Sequence, residues 1–325
     1  MKTAILTLLR ESDGYVSGQQ ICDQFGVSRT AVWKVMNQLK EEGYEIESVS
    51  KKGYRMLTQT DVLSQNELNS RMTTKWAGKE VHYYDEVTST NTVVKKMIME
   101  GSPHGTLVVG DMQTAGKGRR GRSWVSPAGS NIFMSIGLVP DFPPEKASML
   151  TIVMALAVYS AVGEVTGLES GIKWPNDIVV NGKKVCGILT EMDAEMDYIH
   201  SVVIGVGINV NQKQFPEEIS ATATSLMIEK GERIIRASLI ERAMYYFETY
   251  YEIFLETLDL SGLMEVYNKA LVNKDKSVRV LDPRGEYDGV AKGIDQSGEL
   301  IVETENGLKK VYAGEVSVRG IYGYV

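Results

Sequence analysis

Seven consecutive residues, Gly116-Lys117-Gly118-Arg119-Arg120-Gly121-Arg122, gather four cations and three glycines in a chain whose net charge is −7. Such a loop cannot be a core element, because glycine forfeits backbone entropy and unpaired cations cannot be buried without an anion. It can wrap an anion. Glycine lets backbone N–H groups approach a phosphate, arginine offers a planar fork of donors, and lysine a point charge. A merely solvated basic loop has no use for the interleaved glycines or for the apolar run Thr106-Leu107-Val108-Val109 before it. Gly116, Gly118 and Gly121 formally satisfy G-x-G-x-x-G. Pro127 and Gly129 then interrupt the stretch where a dinucleotide fold opens a helix. A Walker loop is excluded too, since Gly110 lies one residue too far from Gly116-Lys117 and Gly118 replaces the required Ser or Thr. The loop predicts a nucleotide held by another fold.

Four more motifs carry chemistry. Ser89-Thr90-Asn91 falls where a strand ends and a helix begins, so its side chains either cap that helix or bond a polar ligand. Lys173-Trp174-Pro175-Asn176-Asp177 ties a cation, an aromatic and two acceptors to a rigid proline turn. Lys184 enters an apolar strand at Gly182-Lys183-Lys184-Val185-Cys186-Gly187-Ile188-Leu189, a position from which lysines ordinarily snorkel to solvent. Gly205-Val206-Gly207-Ile208-Asn209 sets two glycines in a strand, which they weaken unless a ligand or backbone approaches closely.

The length of 325 residues suggests two or three domains around these motifs. Residues 1–65 balance eight Lys/Arg against eight Asp/Glu, so the acidic excess lies entirely beyond them. Cys22 and Cys186 are isolated, as are His82, His104 and His200, which argues against a disulfide framework or structural zinc. Arg10, Glu11 and Asp13 cut short the apolar start at Lys2–Leu9, so no signal peptide is expected. The uncharged run from Ala147 to Gly163 is short for a membrane span and follows Pro143-Pro144-Glu145, a helix-start pattern; it predicts a buried helix in a cytoplasmic protein.

Residues 1–65 predict a winged helix-turn-helix. Ser17-Gly18-Gln19-Gln20 caps one helix, Gly26 turns, and Ser28 caps a second in which Val32, Val35, Met36 and Leu39 share a face. The opposite face carries Arg29, Thr30, Trp33, Lys34 and Asn37, suited with Ser28 to a DNA groove. Strands at Ile46–Val49 and Tyr54–Leu57 flank Ser50-Lys51-Lys52-Gly53, a wing whose lysines suit phosphates. A polar stretch from Thr60 to about Met72, including Gln59 just before it, reads as a connector. Alternating strands (Leu107–Val109, Asn131–Leu138, Ile178–Val180, Ser201–Ile208) and helices (Thr90–Glu100, Ala147–Val165, Ile234–Leu258) predict an α/β or α+β catalytic domain over 66–270. Residues 271–325 predict a small β-barrel punctuated by the turns Asp282-Pro283-Arg284-Gly285, Asp295-Gln296-Ser297-Gly298 and Glu305-Asn306-Gly307.

In order, Ser89-Thr90-Asn91, Gln113 with the basic loop, Lys173 to Asp177, Lys184 to Leu189 and Gly205 to Asn209 resemble the biotin protein ligase family. With the N-terminal segment, the whole chain resembles its bifunctional ligase–repressor members. One departure is Lys117, where the family more often has Arg; the charge survives and the bidentate fork does not. The resemblance implies an α+β multidomain chain with a class II synthetase-like centre and an SH3-like C-terminal barrel. It also implies that biotin and ATP give biotinoyl-AMP, whose acyl group passes to a lysine of the biotin carrier domain of acetyl-CoA carboxylase or pyruvate carboxylase. Arg119 and Lys184 are then the catalytic cations. Ser89, Thr90, Asn91, Gln113, Lys117, Gly118, Arg119, Lys184 and Gly187 hold biotin, with Ser89, Thr90 and Gln113 at the ureido ring. Arg119, Arg120, Arg122, Trp124, Asn176, Lys184 and Asn209 hold the nucleotide, Trp124 stacking on adenine. Mg2+ accompanies ATP, with Asp177 the one carboxylate in these motifs to assist it. Ligand ordering of the loop is expected to complete a homodimer whose recognition helices, about 34 Å apart, read a palindromic operator. A lipoate ligase, a catalytically silent biotin sensor, and a ligase without DNA binding are the competing readings.

Overall fold

The computed structural model describes residues 1–58, 60–283, 285–313, 317–320 and 324–325; Gln59 of the connector and Arg284 of the first C-terminal turn lie outside them. The chain divides into two compact units, Met1–Thr73 with Ile235–Glu241, and Thr74–Ile234 with Arg242–Val325.

In the first unit α1 (Lys2–Glu11), α2 (Gly18–Phe25) and α3 (Arg29–Glu41) precede a hairpin of β1 (Ile46–Val49) and β2 (Gly53–Met56). The predicted caps form: Ser17 Oγ accepts from Gln20 N, Ser28 Oγ accepts from Ala31 N, and Gly26 takes the left-handed conformation between the helices. Val32, Val35, Met36 and Leu39 are buried with Ile5, Leu6, Leu9 and Ile21, so the stripe read from the sequence is the core face. The connector departs from expectation. Its polar residues form a helix, α4 (Gln65–Arg71), capped by Ser64 through Glu67 N. Glu67 is only 1% exposed and accepts from Arg10 Nη2 (2.8 Å), Tyr44 Oη (2.8 Å) and Arg71 Nε. Those polar residues serve a buried ionic knot rather than solvent.

The second unit is built on a seven-stranded sheet in the order β3-β4-β5-β9-β8-β7-β6. Its strands are β3 (Val81–Val87), β4 (Thr106–Gln113), β5 (Ile132–Leu138), β6 (Ser170–Lys173), β7 (Asp177–Val180), β8 (Lys183–Ala194) and β9 (Ile199–Ile208). Only β3 and β4 pair in parallel, around the crossover helix α5 (Thr90–Met99); every other pairing is antiparallel, which makes the centre mixed α+β. α6 (Leu150–Thr166) is apolar around its circumference and mostly buried, and it packs on β6 to β9. Its length and hydropathy, counted from Pro144, would suffice to cross a membrane; burial within the unit accounts for the same composition. After the short α7 (Glu217–Ser220) and α8 (Leu226–Lys230) come α9 (Arg236–Thr257) and α10 (Met264–Ala270). Five antiparallel strands end the chain: β10 (Ser277–Leu281), β11 (Tyr287–Ile294), β12 (Leu300–Thr304), β13 (Gly307–Val311) and β14 (Ser317–Gly320), in the order β13-β12-β11-β10-β14. The predicted turn at Asp295 is closed by Gly298 N donating to Asp295 O (3.0 Å).

Candidate functional site

A cavity of 860 Å³ in the second unit gathers residues of the basic loop and of the four further chemical motifs. The basic loop leaves β4 and folds on itself: Gly118 N donates to Arg122 O (2.7 Å) and Trp124 N to Gly116 O (2.9 Å). Gly116 is dictated by this closure, since a Cβ would lie 2.5 Å from Trp124 O. Gly118 is different; a Cβ there would meet only ordinary contacts, and its φ of −113° suits any residue. What the protein's own packing does not require at Gly118, a ligand in the cavity can. Arg119 turns inward, donating from Nη1 to Asn176 Oδ1 and from Nη2 to Ala313 O, each at 2.7 Å. Both acceptors are neutral, and burial pulls the guanidinium pKa below its ordinary value, partly opposed by Asp177. Lys117, Arg120 and Arg122 are exposed, and Arg120 adopts φ 57°, a left-handed conformation that costs a non-glycine residue about 1 kcal/mol.

Opposite charges meet at the mouth of β7 and β8. Lys184 Nζ pairs with Asp177 Oδ1 at 2.6 Å and stands 5.3 Å from the Trp124 ring centroid, so it does not snorkel away. Asp177 Oδ2 accepts from Tyr324 Oη at 2.5 Å, and the Tyr324 ring lies 3.5 Å beneath Lys173 Nζ. The turn Lys173–Asp177, with a cis Trp174-Pro175 bond, aims Lys173, Asn176 and Asp177 at the cavity. Trp174 goes the other way. It is 2% exposed and donates from Nε1 to Gly298 O, which makes it a structural anchor.

The two strand glycines have an internal explanation. A Cβ at Gly207 would meet the Trp124 indole at 2.6 Å, and one at Gly205 would meet Asn91 Oδ1 at 2.1 Å. The close approach inferred from the sequence is therefore made by the protein's own side chains. Trp124 Nε1 is buried there without a hydrogen-bond partner, an orphaned donor of the kind a ligand satisfies.

Ser89, Thr90, Asn91 and Gln113 also line the cavity, in a neutral polar corner. Ser89 Oγ makes no capping bond to α5; Gln113 Oε1 does that work, accepting from Thr90 N (2.9 Å) and Thr90 Oγ1 (3.1 Å). Gln113 Nε2 in turn donates to Ser126 Oγ, and Asn91 Nδ2 to Glu191 Oε2. Gly187 and Asn209 line the same space, Asn209 Nδ2 donating to Thr224 O. Sequence reasoning missed Arg319 on β14 and Tyr324 beyond it, which line the cavity, and it weighed Lys173 only as part of its motif. A cation fixed ahead of a proline turn was the signal for Lys173. Nothing local marks Tyr324. Both Asp177 oxygens are engaged by Lys184 and Tyr324, and among the described residues no three His, Cys, Asp or Glu cluster to hold a metal.

In the first unit the predicted recognition face stands exposed, with Ser28, Arg29, Thr30, Lys34 and Trp33, the last 60% exposed. Asn37 is half-buried on the same helix, and Lys51 and Lys52 project from the tip between β1 and β2. Arg29 is held to Gln19 Oε1 (2.8 Å), which fixes a cation at the N-terminal end of α3.

Three family models match the chain: an HTH domain at residues 2–55, the biotin/lipoate A/B protein ligase family at 83–209, and the biotin protein ligase C-terminal domain at 275–319. The bifunctional ligase/repressor BirA of Bacillus subtilis is 41% identical over 306 residues, covering 94% of both chains. A biotin–[acetyl-CoA-carboxylase] ligase of Mycobacterium tuberculosis is 33% identical over 65% of this chain and 78% of its own. The structure of an Aquifex aeolicus biotin protein ligase in complex with biotin and ATP superposes with TM-score 0.66 at 30% identity, covering 74% of this chain and 99% of that one.

Proposed function

The chain belongs to the biotin protein ligase family, among its bifunctional ligase/repressors, and we propose a division of labour among its residues on that basis. It is an ATP-dependent, AMP-forming biotin ligase that is also a DNA-binding repressor. The observation that carries the chemistry is the convergence of Arg119 and Lys184 on one cavity with the neutral set Ser89, Thr90 and Gln113. A biotin carboxylate attacking the α-phosphorus of ATP must overcome anion repulsion before pyrophosphate departs. Arg119, hydrogen-bonded to neutral oxygens and only partly offset by the field of Asp177, brings positive charge to that step. Lys184 spends one ammonium donor on Asp177 and keeps two for the ligand carboxylate and α-phosphate. An acceptor lysine then attacks the acyl carbonyl and AMP leaves.

The ureido ring suits the polar corner, where Ser89 Oγ is uncommitted to a cap and Gln113 trades its internal bonds for ligand ones. A dithiolane offers those groups nothing, which favours biotin over lipoate. Asn91 and Gly187 complete the biotin wall with Lys117 and Gly118. Trp124 stacks on adenine, and Arg120, Arg122, Asn176 and Asn209 hold the rest of the nucleotide. Mg2+ comes as a companion of the triphosphate. Ser28, Arg29, Thr30, Trp33, Lys34, Asn37, Lys51 and Lys52 contact operator DNA, biotinoyl-AMP promotes a homodimer in the cytoplasm, and the carrier domain of a biotin-dependent carboxylase is the acceptor. Residues 1–65, 66–270 and 271–325 serve respectively as DNA-binding, catalytic and C-terminal regions.

Biotin-dependent exchange of labelled pyrophosphate into ATP tests the first half-reaction directly. Exchange that proceeds equally well without biotin, or not at all, refutes the ligase reading. Sedimentation with and without biotinoyl-AMP tests the dimer, and an unchanged mass refutes it.

A further inference from the structure

Lys173 is the least expected side chain in the cavity. It is 6% exposed, and among the described residues it makes no hydrogen bond or ion pair. Its ammonium rests on the Tyr324 ring, 3.5 Å from the centroid. The field of Asp177 supports its charge, against the like charges of Lys184, Arg319 and Arg122. Asp177 is already shared between Lys184 and Tyr324. Four cations thus face one carboxylate, and the most buried of them has three N–H donors and no oxygen to give them to.

This arrangement suits a ligand that is strongly anionic and multidentate. The proposed reaction supplies one: the bond from the α-phosphorus to its bridging oxygen breaks, and pyrophosphate departs with the electron pair. Resting on the ligase reading above, we propose that Lys173 holds the β- and γ-phosphates of ATP and then the departing pyrophosphate, with the Tyr324 ring covering its ammonium until that anion arrives. Arg319 and Arg122 lie close enough to share the charge. Lys184 and Arg119 remain with the reacting carboxylate and α-phosphate. An aromatic face is a suitable cover because it stabilises the buried cation by about 0.5–2 kcal/mol, less than a phosphate can, so the anion displaces it.

The test separates the two half-reactions in the full-length protein. Lys173→Met should raise KM for ATP and weaken calorimetric binding of inorganic pyrophosphate by about tenfold or more, the range for one charged hydrogen bond. Transfer of biotin from pre-formed biotinoyl-AMP to the acceptor should stay within about twofold, and Lys173→Arg should restore most pyrophosphate binding. Tyr324→Ala, which uncovers the ammonium, should tighten pyrophosphate by about threefold, while Tyr324→Phe, which keeps the ring, should not. Unchanged pyrophosphate binding in Lys173→Met, or equal slowing of both half-reactions, overturns the assignment; weaker binding in Tyr324→Ala overturns the cover. Wild-type protein that fails biotin-dependent exchange would instead sink the ligase reading itself.

Discussion

The winged unit and the cavity treat their charges in opposite ways. In the first unit the deeply buried carboxylate of Glu67 is met by two guanidiniums and a phenol, while Lys34, Lys51 and Lys52 stand in solvent. The cavity gathers Arg119, Lys173 and Lys184 around Asp177 and buries Lys173 most deeply of the three. A saturated knot stabilises a fold; an unsaturated one costs stability and is explained by what it binds. Disturbing each in turn should therefore move different observables.

The largest effect belongs to the saturated knot. Glu67→Ala strands Arg10 and Arg71 and should destabilise the first unit by about 3–5 kcal/mol. Chemical denaturation followed by a probe in that unit measures this, and biotin-dependent exchange should persist. Loss of exchange without loss of stability would contradict the contrast. In the cavity, Lys184→Ala should slow adenylate formation by about 10²- to 10³-fold with the fold intact, since Asp177 keeps its bond to Tyr324. A normal single-turnover rate would remove Lys184 from the mechanism.

The unsaturated site also predicts a trade between stability and function. Burial lowers the Lys173 pKa to about 8, with Asp177 opposing and Lys184, Arg319 and Arg122 reinforcing. The unfolded chain holds that proton up to about 10.5, so between these values the folded state binds fewer protons and stability rises with pH. Below pH 8 the charged form therefore costs the fold about 3 kcal/mol, with the Tyr324 ring already in place. Lys173→Met should accordingly be more stable than wild type by up to about 3 kcal/mol at pH 7. Thermal melts at several pH values should show the gap closing between pH 8 and 10.5.

Legibility followed the range of the interactions. The two capped helices and the wing of the first unit could be read, because Ser17, Gly26, Ser28 and the stripe Val32–Leu39 act within a few residues of one another, whereas α1 is visible only as an apolar start. The basic loop, Lys184 and Asn176 were legible from composition and motif. Tyr324 was not, since it acts on Asp177 from 147 positions away. At Gly205 and Gly207 the sequence points to a close approach by a ligand or by backbone, and the approaching groups are instead the side chains of Asn91 and Trp124, from other elements. Helix α4 was mistaken for a connector because polarity alone does not reveal a buried ion network.

On the DNA face the effect is smaller and depends on salt. Removing Lys51 and Lys52 together should lower the slope of log affinity against log salt for a random-sequence duplex by about 1.8, as two phosphate contacts would. An unchanged slope would take the wing out of the interface.

The finest test sets one serine against another. Ser17 and Ser89 both precede helices, yet Ser17 Oγ accepts from Gln20 N while Ser89 Oγ caps nothing and Gln113 serves α5 instead. Ser17→Ala should cost about 1 kcal/mol in urea denaturation, the ordinary worth of a cap, and leave biotin binding alone. Ser89→Ala should change stability by less than about 0.5 kcal/mol and weaken biotin, because its hydroxyl is held for the ligand and not for the fold. Equal losses of stability would show that both serines cap, and the neutral corner would then lose the donor that distinguishes biotin from an acid without a ureido ring.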